Sequence, residues 1–180
     1  VSLARTHRVD VVRKRVVVMG MADVFIAMPA LSTYDQGVLF PDGTLAVARV
    51  EPYRVDWRMP GGNWQSGAPV QDALSQVVPG LKSELSRRIA SDAAERPVFS
   101  ASDFTEWPAR VPAFTSYSVR AGADGRVYIV RTDLGAAKPR QVDIFDRVRG
   151  RVGNMSIPPG TRLVGIGQRT LFVARSLDTG

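Results

Sequence analysis

The sequence predicts an all-β protein assembled from repeated four-stranded antiparallel units. Three observations carry that expectation. Residues 29–49, PALSTYDQGVLFPDGTLAVAR, are echoed by residues 112–131, PAFTSYSVRAGADGRVYIVR. Apolar residues in both stretches alternate with a period of two rather than marking a helical face. The pairs Asp42-Gly43 and Asp124-Gly125 stand at matching places, where a hairpin would turn.

In the first copy GVLF (residues 37–40) and TLAVAR (44–49) flank Asp42-Gly43 and are expected to pair as neighbouring antiparallel strands. A type I′ turn is expected between them, because Asp tolerates and Gly freely adopts the positive φ of its two central residues. YRVDW (53–57) is the third strand, with Tyr53, Val55 and Trp57 on one side and Arg54 and Arg58 on an opposite, solvated side. After the turn signal PGG (60–62), NWQSGAPV (63–70) is the fourth. Four antiparallel strands in about 40 residues is the size of a β-propeller blade.

The second copy repeats the whole unit. SVRAG and RVYIVR flank Asp124-Gly125, QVDIFDR answers YRVDWRM, RVRG supplies the turn, and RVGNMSIP takes the fourth place. A third unit opens at RLVGIGQRTLFVARS (162–176), and RVVVMGMADVFIAMP (15–29) reads as the close of an earlier one. The expected organisation is one partial β-propeller domain: 1–28 the end of a blade, 29–70 a blade, 71–111 a helical insertion, 112–158 a blade, 159–180 the start of a blade. Stacked repeats hide their apolar faces only against neighbours, and a propeller closes with at least four blades. RLVGIG and TLFVARS are therefore expected to lack their own third and fourth strands and to associate with other chains.

Between the copies, Leu81, Leu85 and Ile89 recur every fourth residue among Lys82, Glu84, Arg87 and Arg88. That spacing describes a short amphipathic helix beginning after Pro79-Gly80 and ending before Pro97. It reads as a lid or docking arm or, more simply, as a strap over an apolar patch, with FTEWP (104–108) anchoring its return.

Composition sets the outer limits. The chain has 180 residues, 44% hydrophobic and 23% charged, an ordinary globular balance. It contains no cysteine, which removes disulfides and thiolate metal sites. Its longest apolar run is broken by Gly20, Asp23 and Pro29, so no transmembrane segment is expected. The opening VSLARTHRVD lacks an initiator Met and a signal-peptide pattern, and the chain reads as a piece of a longer protein. The formal charge of +7 is almost all arginine, with lysine only at Lys14, Lys82 and Lys138. Its denser runs, Arg5, Arg8, Arg13, Lys14 and Arg15, then Arg140, Arg147, Arg149 and Arg151, alternate with Val and Asp as solvated strand faces do. A nucleic-acid partner is not expected.

DGTLAVARVEPYRVDW, the helical insertion, WPARVPAF, ADGRVYIVR, VDIFDR and IPPGTRLVGIGQRTLFVAR together resemble the C-terminal part of bacterial six-bladed β-propeller proteins of the NHL and TolB-like kind. The resemblance covers about residues 23–175 and implies a fold, not an activity. It implies a six-bladed parent in the cell envelope, periplasmic or secreted, whose missing blades would partner this chain. Some six-bladed relatives are metal-dependent lactonases or esterases with an ion on the central axis, so Ca²⁺ in the full-length parent is the alternative that the resemblance implies.

The residues themselves point to no catalytic, cofactor or metal site. Asp42 and Asp124 are explained by turns, Asn63 and Asn154 lie near turns, and Asp56 and Asp143 are expected to alternate with buried positions on outer strands. His7 is the only histidine and leaves little room for a Ser-His-Asp relay. GIG at 165–167 lacks the third glycine and following helix of a phosphate loop. Tyr53, Trp57, Trp64 and Trp107 are the candidate ligand contacts, as a platform for a peptide or carbohydrate; the plainer reading is packing between blades. The function expected is a non-catalytic binding or interaction scaffold for a protein, peptide or carbohydrate. The alternative is a metal-dependent hydrolase whose site lies mostly in blades outside this chain.

Overall fold

The computed structural model describes residues 12–18, 21–27, 31–71, 77–95, 107–132 and 139–175. Arg5, His7 and Arg8 of the arginine-rich start, Pro29-Ala30, residues 104–106 of the insertion's return and Lys138 lie outside them. Two compact units divide the chain: Val1–His7, Thr33–Ala73 and Ala113–Gly180 form one, and Arg8–Ser32 with Leu74–Pro112 the other.

The smaller unit holds the hairpin β1 (Val12–Val18) and β2 (Met21–Ala27), in register from Val12 opposite Ala27 to Val18 opposite Met21. It also holds α1, Pro79–Glu95, where the spacing of Leu81 and Leu85 predicts a helix. Pro79 is its first residue, a position that needs no N–H donor, so the helix starts two residues earlier than the Pro-Gly signal implies. Leu81 and Leu85 are half-buried, while Lys82 and Arg87 are exposed. No helix among the described residues is long and apolar enough to cross a membrane.

The larger unit contains three antiparallel sheets. The first is β3 (Gln36–Leu39), β4 (Leu45–Arg49), β5 (Arg54–Arg58) and β6 (Trp64–Ser66), hydrogen-bonded in chain order. The second is β7 (Val119–Ala121), β8 (Val127–Val130), β9 (Arg140–Asp146) and β10 (Gly150–Ile157), also in chain order. β11 (Thr161–Ile166) and β12 (Leu171–Arg175) form the third, a two-stranded sheet. The first two are copies down to their register. Val47 stands opposite Asp56 and Ile129 opposite Asp143; Gly37 stands opposite Val47 and Val119 opposite Ile129. Among the described residues no sheet closes on itself.

The hairpin turns differ from the sequence expectation. Gly43 and Gly125 have φ of 80° and 77°, but Asp42 and Asp124 do not share the positive region, so the turns are not type I′. Phe40 N donates to Thr44 O at 2.8 Å and Gly43 N to Phe40 O at 2.9 Å; Gly122 N donates to Arg126 O at 2.8 Å and Gly125 N to Gly122 O at 3.0 Å. That pattern is a three-residue loop, a type I turn followed by a left-handed glycine that bulges the ladder. The aspartates close it from below: Asp42 Oδ1 accepts from Thr44 N at 3.0 Å and Asp124 Oδ1 from Arg126 N at 3.2 Å. Gly43→Val and Gly125→Val should each cost roughly 1–3 kcal/mol, the strain of a β-branched residue at positive φ. Gly80→Ala, with nothing within 4 Å of the added Cβ, should not destabilise. Thermal melts of the three variants check this.

Packing runs from sheet to sheet. β3 lies against β7, and β7 against β11, so the first strands of the three sheets are successive neighbours. Tyr53, just before β5, packs its ring on Phe114 at 5.8 Å and on Phe145 of β9 at 5.6 Å between centroids. Val55 and Trp57 share the Tyr53 side of the strand and are buried, with Phe40 stacked on Trp57 at 5.8 Å. The second sheet's other face carries Tyr128, Val130, Val142 and Ile157, clustered with Leu163 of β11 and bordered by Ile144, Met155 and Ile166. Because both faces of this sheet are covered, all four residues of β8 are buried. Polar ties accompany the apolar ones. Gln36 Nε2 donates to Thr115 O at 2.8 Å, and its Oε1 accepts from Ser118 N at 3.0 Å. Arg147 Nη2 reaches Asp42 Oδ2 at 2.9 Å, joining the turn after β9 to the turn after β3.

Candidate functional site

The strongest polar grouping is one the sequence hides. Asp56 and Asp143, expected to alternate with buried positions, are themselves 3% and 1% exposed. A carboxylate removed from water must be paired and hydrogen-bonded, and both are. Asp143 Oδ1 takes Arg151 Nε at 3.0 Å and Nη2 at 2.8 Å; its Oδ2 takes Arg131 Nη1 at 3.1 Å and the Tyr53 hydroxyl at 2.8 Å. Asp56 Oδ1 takes Arg54 Nε at 2.8 Å, and its Oδ2 takes Arg49 Nε at 2.8 Å with Arg54 Nη2 at 3.4 Å. Arg49 extends the chain of charges to Asp35, whose Oδ2 accepts from Nη1 at 3.0 Å and whose Oδ1 accepts from Val50 N at 2.9 Å.

The clasp recurs because the register recurs. Arg49 closes β4 and Arg131 follows β8 directly; each reaches diagonally across the ladder to the aspartate two positions along the next strand. Arg54 is therefore half-buried and engaged rather than solvated, and Arg58 is half-buried too. Tyr53 carries the clasp between sheets. Burial, and then the charge of Asp143, push its phenol well above the usual tyrosine range, so it stays protonated and donates. The Arg131 guanidinium lies 5.2 Å over its ring.

Arginine donors enclose both carboxylates. An ionised carboxylate offers about four lone-pair sites, and Asp143 has four donor contacts. Among the described residues, no group of three His, Cys, Asp or Glu side chains is placed to hold a metal ion. Burial raises the Asp56 carboxyl, but the hydrogen bonds from Arg49 and Arg54 outweigh it and hold the group below the ordinary carboxylate range. A depressed folded-state value means that this contribution to stability is complete above the unfolded value of about 4 and is lost as pH falls through the lower folded one. Acid unfolding followed by circular dichroism should therefore show a loss of stability below about pH 4 that Asp56→Asn flattens.

The four aromatic candidates separate. Tyr53 and Trp57 are 5% and 2% exposed, Tyr53 packed on Phe114 and on Phe145 of the second sheet, Trp57 stacked on Phe40. Trp107 is half-buried and belongs to the smaller unit. Trp64, on the edge strand β6 opposite Arg58, is 40% exposed, and the Arg49 guanidinium sits 6.0 Å from its ring centroid. One clasp thus holds Asp56 inside the sheet while its arginine props an exposed indole outside it. The signal for this was the Arg that ends both TLAVAR and RVYIVR ahead of a Val-Asp pair. Compared with known proteins, the chain matches no family model, no curated protein and no solved structure.

Proposed function

We propose that the three sheets are consecutive blades of a partial β-propeller serving as a non-catalytic binding scaffold, with Trp64 as its exposed ligand contact. The observation that carries the reading is the succession of first strands, β3 beside β7 beside β11, with the first two sheets sharing one register. Inner strands adjoin in this way when four-stranded sheets are arranged radially. Trp64 presents a flat ring with a polar N–H edge, the chemistry that suits a sugar face or an extended peptide. The six-bladed resemblance adds a cell-envelope or extracellular setting to this reading.

Glycan and peptide arrays probed with the labelled chain test it. Specific retention that Trp64→Ala removes supports the scaffold. Calcium-dependent hydrolysis of a lactone or ester by the chain, unchanged in that variant, would replace it with the hydrolase reading.

A further inference from the structure

We propose that Tyr117 and Arg120 form a second binding site, one for an acidic sugar: the phenol ring takes the flat face of a uronic acid and the guanidinium takes its carboxylate. The site goes beyond the scaffold reading and shares no residue with the Trp64 contact. Tyr117 is 71% exposed and holds φ at 61°, a left-handed backbone that residues with a Cβ rarely adopt. The repeat does not demand it. Tyr34 fills the same place in the first copy, PALSTY against PAFTSY, yet it is half-buried and has no positive φ.

The turn that carries Tyr117 is braced by two side chains. Gln36 of β3, 8% exposed, reaches it from the first sheet: its Nε2 donates to Thr115 O at 2.8 Å and its Oε1 accepts from Ser118 N at 3.0 Å. Arg120 of β7 ties it again, Nη1 donating to Tyr117 O at 2.9 Å and to Val119 O at 2.8 Å. A residue in so sparsely populated a backbone region persists only where its surroundings over-determine it, and such positions gather at ligand contacts. A ring held this way needs little further ordering when a ligand arrives.

The two Nη1 hydrogens of Arg120 are engaged with carbonyls, whereas its Nε and Nη2 have no partner among the described residues. Those two nitrogens form the edge of a guanidinium that binds a carboxylate through parallel hydrogen bonds. A uronic acid supplies both complements, a C–H face for the ring and a carboxylate for the fork. An acidic peptide suits the turn less well. Extended peptides draw affinity from main-chain hydrogen bonds, and the carbonyls of Thr115 and Tyr117 and the N–H of Ser118 are already taken.

The test titrates trigalacturonic acid, with its methyl ester in parallel, into the full chain by isothermal calorimetry. One-to-one binding of the acid is expected, weakened about tenfold or more by esterification, by Arg120→Lys, which lacks the fork, or by Tyr117→Gly. Glycine accepts the φ of this position, so Tyr117→Gly should keep or raise the thermal midpoint while losing the sugar. Tyr117→Phe, which keeps the ring, and Trp64→Ala should each bind within about threefold of the parent, so this site and the Trp64 contact succeed or fail separately. No saturable binding, equal affinities for acid and ester, or a Tyr117→Gly protein that binds as the parent does would overturn the proposal. A hexaglutamate peptide that binds more tightly and depends on the same two residues would assign the site to acidic peptides and overturn it equally.

Discussion

Asp143→Ala should destabilise the protein by roughly 3 kcal/mol in denaturant unfolding. Removing one partner of a buried ion pair leaves the other charge uncompensated, typically at a cost of about 3–5 kcal/mol. The lower end applies because Arg131 and Arg151 keep 21% and 31% of their side-chain surface in water and can be partly rehydrated. The variant also orphans the Tyr53 hydroxyl, which has no water to turn to at 5% exposure. Tyr53→Phe, which removes a single hydrogen bond to a charged group, should cost less, about 1.5–3 kcal/mol. An Asp143→Ala protein as stable as the parent would mean that the carboxylate is not enclosed by these groups.

Trp57→Ala should cost about 3–5 kcal/mol by the same measurement. The indole is 2% exposed and stacked on Phe40, so truncation loses both its transfer from water and the packing around the space left. Trp64→Ala, at a ring 40% exposed, should change stability by less than about 1 kcal/mol. The contrast separates two tryptophans that the sequence offers as one platform. Similar losses for both would place Trp64 in the core.

Strand existence and order were legible because alternation, Asp-Gly pairs and the echo between residues 29–49 and 112–131 all point one way. GVLF, TLAVAR and YRVDW fall on β3, β4 and β5, and the sides assigned to Tyr53, Val55 and Trp57 agree with the structure. Alternation failed where a sheet is covered on both faces. There, period two no longer separates inside from outside, and Asp143, expected to alternate with buried positions, is itself enclosed; Asp56 is enclosed as well. The turns were legible in position but not in type. Asp-Gly supplies the left-handed glycine for either a two-residue or a three-residue loop, and the choice rests on the Phe40–Thr44 and Gly122–Arg126 pairings, which sequence alone does not display. The polar clasp was not legible because its members, Arg131 after β8, Asp143 on β9, Arg151 on β10 and Tyr53 ahead of β5 in the neighbouring sheet, are far apart along the chain.

A double-mutant cycle between Tyr53→Phe and Asp143→Asn tests most directly the central claim, that copies of one four-stranded sheet pack face to face in this register. The two residues lie 90 positions apart and meet only if β5 of one sheet faces β9 of the next. A coupling free energy of about 1–3 kcal/mol from denaturant unfolding of the four proteins is the predicted result. Additive effects, with coupling below about 0.5 kcal/mol, would contradict it.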